Sequence, residues 1–87
     1  MTRAAAAEYA AHDIRINTLV VGTTRTEMID QAVDTYPELG TAFVARQMQK
    51  RMADPAEIAE AALWLCSDRA SFATGSALAV DGGWTAN

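Results

Sequence analysis

The chain has 87 residues, a formal net charge of −4, and 51% hydrophobic and 21% charged residues, which fits a single globular domain rather than a disordered segment. The acidic balance argues against nucleic acid as a partner, because binding to phosphates usually needs a basic surface. No apolar run approaches the ~18 residues that span a bilayer and no signal-peptide core is present, so we expect a cytoplasmic protein without membrane contact.

The first two predicted elements are a helix and a strand. Residues Thr2 to Ala11 are rich in alanine and favour a helix, which is too short to be stable without packing against other parts of the chain. After a break, Ile14 to Val21 has few polar interruptions and predicts a strand of a parallel sheet covered on both faces. Ligands of such sheets bind beyond the carboxyl ends of the strands, so we expect function in the residues that follow.

Two helices are predicted next, after a loop over residues 23–26. Thr26 can act as the N-cap of a helix from Glu27 to about Asp34, and a second helix is expected from Leu39 to Met52. The apolar residues of this region do not fall on one helix face. They fit two interpretations, a hydrophobic core or a mobile lid over a small-molecule site.

The clearest helix signal is the sequence Asp-Pro-Ala-Glu at 54–57. The aspartate can cap the helix, the proline suits its first position, and the glutamate can reach back to the cap. This helix should run to Leu65 or Cys66, with the cysteine buried as a small hydrophobe.

Ser76 to Val80 predicts a second short strand, closed by a turn at Asp81-Gly82-Gly83. Strand, helices and strand form an α/β unit. Because two parallel strands are only marginally stable in water, the first strand should need a neighbour on its other edge.

Several kinds of site lack the residues they require. One histidine and one cysteine cannot form a metal-ligand cluster, and no serine lies in a nucleophile elbow, so we expect neither a metal site nor a nucleophilic triad. No G-x-G-x-x-G or Walker phosphate-binding motif can be written from the five glycines, Gly22, Gly40, Gly75, Gly82 and Gly83.

The remaining signal is a series of short motifs in a fixed order. They are Tyr9-Ala10, Ile14-Arg15-Ile16-Asn17, Gly22 followed by Thr26 and Met28, Asp54-Pro55-Ala56-Glu57-Ile58-Ala59, Leu65-Cys66-Ser67-Asp68, Ala70-Ser71, Thr74-Gly75, and Val80-Asp81-Gly82-Gly83. Each motif is weak alone. Together they resemble the C-terminal third of the short-chain dehydrogenase/reductase family, over the whole chain and with the family's spacing.

The resemblance implies the C-terminal βαβ portion of a doubly wound parallel-sheet (Rossmann-type) fold. Residues 14–21 would be its sixth strand and residues 76–80 its seventh. Residues 1–87 would then form a partial Rossmann-type domain that contains a lid-like helical segment at 27–52. The turn at 81–83 would lie near subunit contacts.

The resemblance also implies that the loop after the first strand lies against the nicotinamide end of NAD or NADP. Val21 stands where the family usually has proline, and Gly22 matches the family's glycine. The backbone of Thr24 matches a position that meets the carboxamide, and Thr26 matches a threonine that can hydrogen-bond there. Because proline's fixed φ is lost at Val21, we expect a less preorganised loop.

In the same way, residues 27–52 would cover a small-molecule alcohol or carbonyl substrate, which the parent enzyme would interconvert. The lid would begin at Met28 and include Ile29, Val33 and Phe43.

The family's catalytic Tyr-x-x-x-Lys is missing from these 87 residues. Tyr9 is followed four residues later by Asp13, and Tyr36 by Gly40. We therefore assign no catalytic residue, and expect the chain alone to be inactive and to bind neither NAD nor NADP tightly.

Two further hypotheses stay open. The chain could be a non-catalytic interaction module that pairs with a full-length member of the family, or an unrelated small α/β binding protein. The open strand edge leads us to expect either a homo-oligomer or association through that edge.

Overall fold

Two short parallel strands form the sheet, β1 (Thr18–Val21) and β2 (Ala77–Val80). The computed structural model describes residues 1–86. The strands pair in register from Thr18 opposite Ala77 to Val21 opposite Val80. This parallel pair, with helices between its strands, confirms the predicted α/β class.

Both strands begin later than the predicted starts at Ile14 and Ser76. Just before β1, the side chain of Asn17 pairs with the backbone of the segment that leads into β2. Its Nδ2 donates to the carbonyl of Ala73 (2.9 Å), and its Oδ1 accepts the N–H of Ser76 (3.1 Å). A side-chain amide satisfies a backbone donor and a backbone acceptor at once. One backbone bond, from the Gly75 N–H to the Ile16 carbonyl (2.8 Å), precedes this residue, and the continuous strand pairing starts after it.

Helix α1 (Thr2–Tyr9) precedes the sheet and continues into one 3-10 turn, Ala10–His12. Asp13, with a φ of 60°, ends that turn in the left-handed region. The hydroxyls of Thr2 and Thr18 are 2.6 Å apart and join α1 to β1.

After β1 come α2 (Glu27–Thr35) and α3 (Leu39–Phe43). The hydroxyl oxygen of Thr26 accepts the N–H of Ile29 (3.2 Å), which confirms the predicted N-cap of α2.

The helix expected over residues 39–52 ends at Phe43, so its predicted length was wrong. In the segment that follows, the Nε2 of Gln47 donates to the carbonyls of Gln49 (3.1 Å) and Arg51 (2.9 Å). Side-chain bonds to nearby carbonyls offer the backbone an alternative to the helical ladder. The chain turns here instead of continuing as a helix.

Helix α4 (Pro55–Cys66) has the predicted bounds. It packs against β1, with Ile58 and Leu65 half-buried. Its opposite side is open, and Leu63 is 65% exposed. Cys66 is also exposed, so the expectation of a buried thiol was wrong. The cause is that only one face of α4 is covered.

The buried apolar residues among 1–86 are small: Ala6, Val44 and Ala70. Two polar residues, Gln47 and Asp81, are also buried. The predicted burial of the first strand on both faces is not seen in this part of the chain, because Thr18, Leu19 and Val20 are only half-buried and Val21 is 49% exposed.

No helix in residues 1–86 has the length and apolar character needed to cross a membrane.

An ion pair supports the start of α4. Arg51 donates to both carboxylate oxygens of Glu57, at 2.8 and 3.0 Å, and Glu57 Oε1 also accepts the N–H of Asp54 (3.0 Å). The hydrogen bond from Arg51 is the main cause that lowers the pKa of Glu57 to about 2.

We predict that the chain loses stability as the pH falls from about 4.5 to about 2, the interval between the ordinary and the folded-state pKa of Glu57. The ionised carboxylate is the form that the fold stabilises, so its contribution is complete above this interval and lost below it. Urea midpoints measured across this range should change less in Glu57→Gln than in the wild type. Glu60→Gln, the same change at an exposed position of α4, should keep the wild-type pH dependence, and equal behaviour of the two variants would contradict the assignment.

Candidate functional site

A cavity of about 490 Å³ lies at the carboxyl end of β1. Its size falls in the range of small-molecule pockets. Four parts of the chain form it: the end of β1 and its following loop, α2, α3, and a C-terminal turn (residues 81–85). The lining residues are Val20, Val21, Gly22, Thr23, Thr24, Ile29, Phe43, Asp81, Trp84 and Thr85.

The loop after β1 is fixed by backbone hydrogen bonds at both of its ends. The N–H of Gly22 donates to the carbonyl of Val80 (3.0 Å), which extends the sheet pairing. Further along, the N–H of Arg25 donates to the carbonyl of Ala53 (2.9 Å), and the N–H of Ala53 donates to the carbonyl of Thr23 (2.9 Å). The loop is therefore tied both to β2 and to the residues just before α4.

The two threonines that the sequence singled out lie differently. Thr24 lines the cavity, its hydroxyl donates to the carbonyl of Gly22 (3.1 Å), and its N–H has no acceptor within residues 1–86. Thr26 is not among the cavity-lining residues. Its hydroxyl oxygen is engaged as the cap of α2, while a hydroxyl can still donate its own proton.

The expected lid residues also separate into two groups. Ile29 and Phe43 line the cavity. Met28 is 79% exposed. Val33 lies between α2 and α3, since a Cβ built on Gly40 would be 3.6 Å from Val33 Cγ1.

The C-terminal turn was expected near subunit contacts, and it forms one wall of the cavity. The carboxylate of Asp81 accepts the N–H groups of Gly83 and Thr85 (both 3.0 Å) and the hydroxyl of Thr85 (2.7 Å). These bonds, the one from the Thr85 hydroxyl foremost, lower the pKa of Asp81. They also hold Trp84 at the cavity, where the guanidinium of Arg46 lies 5.6 Å from the indole ring centre.

Sequence reasoning did not identify Trp84 or Gln47 as parts of this region. The indole directly follows the Asp-Gly-Gly turn, so its position was a usable signal. Gln47 gave none, because its contact with Thr23 joins residues distant in sequence and its position depends on the early end of α3.

Glycine at position 22 is explained by packing inside the protein. A Cβ on Gly22 would come within 2.8 Å of both the Asp81 Cα and the Gln47 Oε1. Contacts this short require a shift of the C-terminal turn or of the Gln47 side chain. Glycine is therefore needed at position 22 so that the loop after β1 can pack against the C-terminal turn and the Gln47 side chain.

A family model described as enoyl-(acyl carrier protein) reductase matches residues 1–85. The A-factor type gamma-butyrolactone 1'-reductase (1S-forming) of Streptomyces virginiae is 52% identical over 85 residues, which cover 98% of this chain and 33% of that protein. The chain belongs to the short-chain dehydrogenase/reductase family.

Solved structures agree with this assignment. A short chain dehydrogenase family protein from Francisella tularensis superposes with a TM-score of 0.87 at 33% identity, covering 100% of this chain and 39% of that one. A 4-hydroxyisoleucine dehydrogenase complexed with NADH gives a TM-score of 0.87 at 32% identity, covering 99% and 35% respectively. The chain thus spans about a third of the length of the relatives it matches, and its fold is the corresponding portion of a Rossmann-type domain.

We predict that Gly22→Ala destabilises the chain by about 1–3 kcal/mol, the usual cost of forcing an extra methyl group into a packed region. The free energy of unfolding in urea is the measurement. Gly40→Ala is the matched control: its new Cβ would meet only Val33, at 3.6 Å, inside α3, and should stabilise by about 0.5–1 kcal/mol. Similar effects of the two changes would contradict the packing explanation.

Proposed function

We propose that this chain supplies the nicotinamide-facing and substrate-facing portion of an NAD(P)-dependent short-chain dehydrogenase/reductase that interconverts alcohols and carbonyl compounds. The observation that carries the proposal is the cavity beyond β1. It brings Val21, Gly22 and Thr24 together with Ile29 and Phe43, in a chain that belongs to this family. A relative of the same fold is a dehydrogenase complexed with NADH, which supports the choice of cofactor.

The cavity fits the nicotinamide end of such a cofactor in chemistry as well as in size. A carboxamide needs one donor and one acceptor partner, and an aromatic ring needs apolar walls. The N–H of Thr24, free of acceptors in residues 1–86, would donate to the carboxamide oxygen. The second lone pair of the Thr26 hydroxyl, which lies outside the cavity lining, would accept the carboxamide N–H. When bound, the nicotinamide would supply or accept the hydride.

Three of the residues that line the cavity are apolar or aromatic and would face the substrate. Ile29 from α2, Phe43 from α3 and Trp84 from the C-terminal turn would exclude water from the reacting carbon. Residues 27–52 would act as the lid in this scheme, within a partial Rossmann-type domain over 1–87. Met28 is exposed at the start of α2, and Val33 packs α2 on α3. When the lid is open, these two residues would belong to its framework and would not contact the substrate.

The 87 residues alone should not transfer hydride. They contain neither Tyr-x-x-x-Lys nor a glycine-rich diphosphate loop. A proton donor with a lowered pKa and a cradle for the diphosphate are both needed for this reaction, and both would have to come from further polypeptide.

The surface of the chain supports its completion by further polypeptide. A compact monomer of 9.3 kDa would expose about 5,000 Å² of surface, whereas this chain exposes 6,388 Å². The radius of gyration is 15.8 Å, against about 12 Å for a compact domain of this length. The surface exposed beyond that of a compact monomer is larger than the area that each partner buries in a standard protein–protein interface, about 800 Å².

We predict that the chain complements the two thirds of the Streptomyces virginiae reductase that it does not match. When the two polypeptides are co-expressed, they should purify together and oxidise NADH or NADPH in the presence of small ketones, measured by absorbance. The chain alone should show no turnover and no binding to either dinucleotide at micromolar concentrations. Micromolar affinity of the isolated chain would disprove its predicted incompetence, and failure to purify together would count against the proposed function.

The second candidate, a non-catalytic module that pairs with a full-length family member, is favoured by one feature. Besides the half-exposed Val21 on β1, the outer side of α4 carries Leu63 and Trp64, which are 65% and 44% exposed. Size-exclusion chromatography with the intact reductase separates the two proposals. A stable complex with the intact enzyme supports the module, whereas complementation of the truncated partner alone supports the enzyme portion.

A further inference from the structure

Gln47 is the most buried polar side chain among residues 1–86, at 2% exposure. Its Oε1 accepts the N–H of Thr23 (2.9 Å), and its Nε2 donates to the carbonyls of Gln49 (3.1 Å) and Arg51 (2.9 Å). One neutral amide therefore joins the loop after β1 to the segment that leads into α4.

These bonds complete the fixation of Thr23. Its hydroxyl donates to the carbonyl of Phe43 (2.7 Å), and its carbonyl accepts the N–H of Ala53 (2.9 Å). With the N–H held by Gln47, all three polar groups of Thr23 have partners on other segments. The next residue, Thr24, lines the cavity and keeps its N–H available.

Two glycines make room for the amide. A Cβ on Gly22 would lie 2.8 Å from Gln47 Oε1, and a Cβ on Gly82 would lie 3.1 Å from Gln47 Nε2. The side chain thus fits between the loop after β1 and the C-terminal turn, both of which line the cavity.

We propose that Gln47 is the positioning residue of this site, which sets the orientation of the Thr23-Thr24 peptide and hence of the donor offered to a nicotinamide carboxamide. The cofactor assignment rests on the proposed function, but the positioning of the loop does not. Valine leaves φ of residue 21 itself unfixed, and the hydrogen bonds of Gln47 supply the rigidity that a proline would otherwise give.

Only a neutral amide meets the chemical requirements of this position. It must accept one N–H and donate to two carbonyls at the same time. A thioether offers no donor, and a carboxylate would face the Gln49 and Arg51 carbonyls with no proton to give.

The test is amide hydrogen exchange on the full 87-residue chain, comparing the Thr23 N–H with the adjacent Gly22 N–H, which donates to the Val80 carbonyl (3.0 Å). In Gln47→Met, exchange at Thr23 should accelerate about tenfold relative to Gly22, the effect expected from loss of one net hydrogen bond at the upper end of its usual strength. A residue that merely stabilises the fold would accelerate both amides equally, and that result would overturn the proposal. Gln49→Met is the matched control and should leave the ratio unchanged, because the Gln49 side chain is exposed and only its backbone is used.

A second variant keeps the test decisive should the methionine variant fail to fold. In Gln47→Glu, burial and two facing carbonyls raise the pKa of the introduced carboxyl, and the protonated form can again donate. The ionised carboxylate is repelled by the Gln49 and Arg51 carbonyls and should move away from them and from the Thr23 N–H. The Thr23 to Gly22 exchange ratio should therefore be near the wild-type value at low pH and rise as the carboxyl ionises. An exchange ratio that does not change with pH would refute the proposed positioning role of Gln47. Neither measurement uses a cofactor, so their failure is distinct from failure of the proposed function.

Discussion

The buried amide of Gln47 is the contact on which the arrangement of the site depends. Three segments distant in sequence meet at it: the loop after β1, the approach to α4, and the C-terminal turn. A buried polar group with all its partners in place stabilises one geometry, whereas the same group with a missing partner is costly. The small apolar core cannot enforce this geometry itself, since Ala6, Val44 and Ala70 offer little area. Polar contacts thus specify the site where hydrophobic packing is insufficient.

Local chemistry made part of the fold predictable from the sequence. The Asp-Pro-Ala-Glu signal located α4 because its cap contacts lie within one helical turn, and Thr26 was identified as a cap for the same reason. The strand start at Ile14 and the helix end at Met52 were wrong because side-chain to backbone bonds, which hydrophobic periodicity does not express, form at both places. The Asn17 side chain bonds to the opposite segment before β1, and the Gln47 side chain bonds to nearby carbonyls after Phe43.

Part of the candidate site was also predictable from the sequence. The carboxyl end of β1 follows from the parallel sheet, and Val21, Gly22 and Thr24 line the cavity found there. Trp84 lines it where the three donors to the Asp81 carboxylate hold the C-terminal turn in place. These bonds are local, so the place of Trp84 directly after the Asp-Gly-Gly turn was a usable signal. The glycine at 22 shows the limit of such prediction, since its packing against Asp81 and Gln47 is visible only in three dimensions.

Stability and ligand binding are coupled in a unit of this kind. A ligand in the cavity would contact β1, α2, α3 and the C-terminal turn at once, so it would bind the ordered form and not a disordered one. The apparent affinity of the isolated chain is then its intrinsic affinity multiplied by the fraction of molecules that hold the loop in place. A small core and an extended surface favour a low fraction, and the further polypeptide of the proposed function would raise it by covering the exposed apolar residues. Completion of the fold would therefore strengthen cofactor binding even without one added contact to the nicotinamide, because it removes the cost of ordering the loop that Gln47 holds.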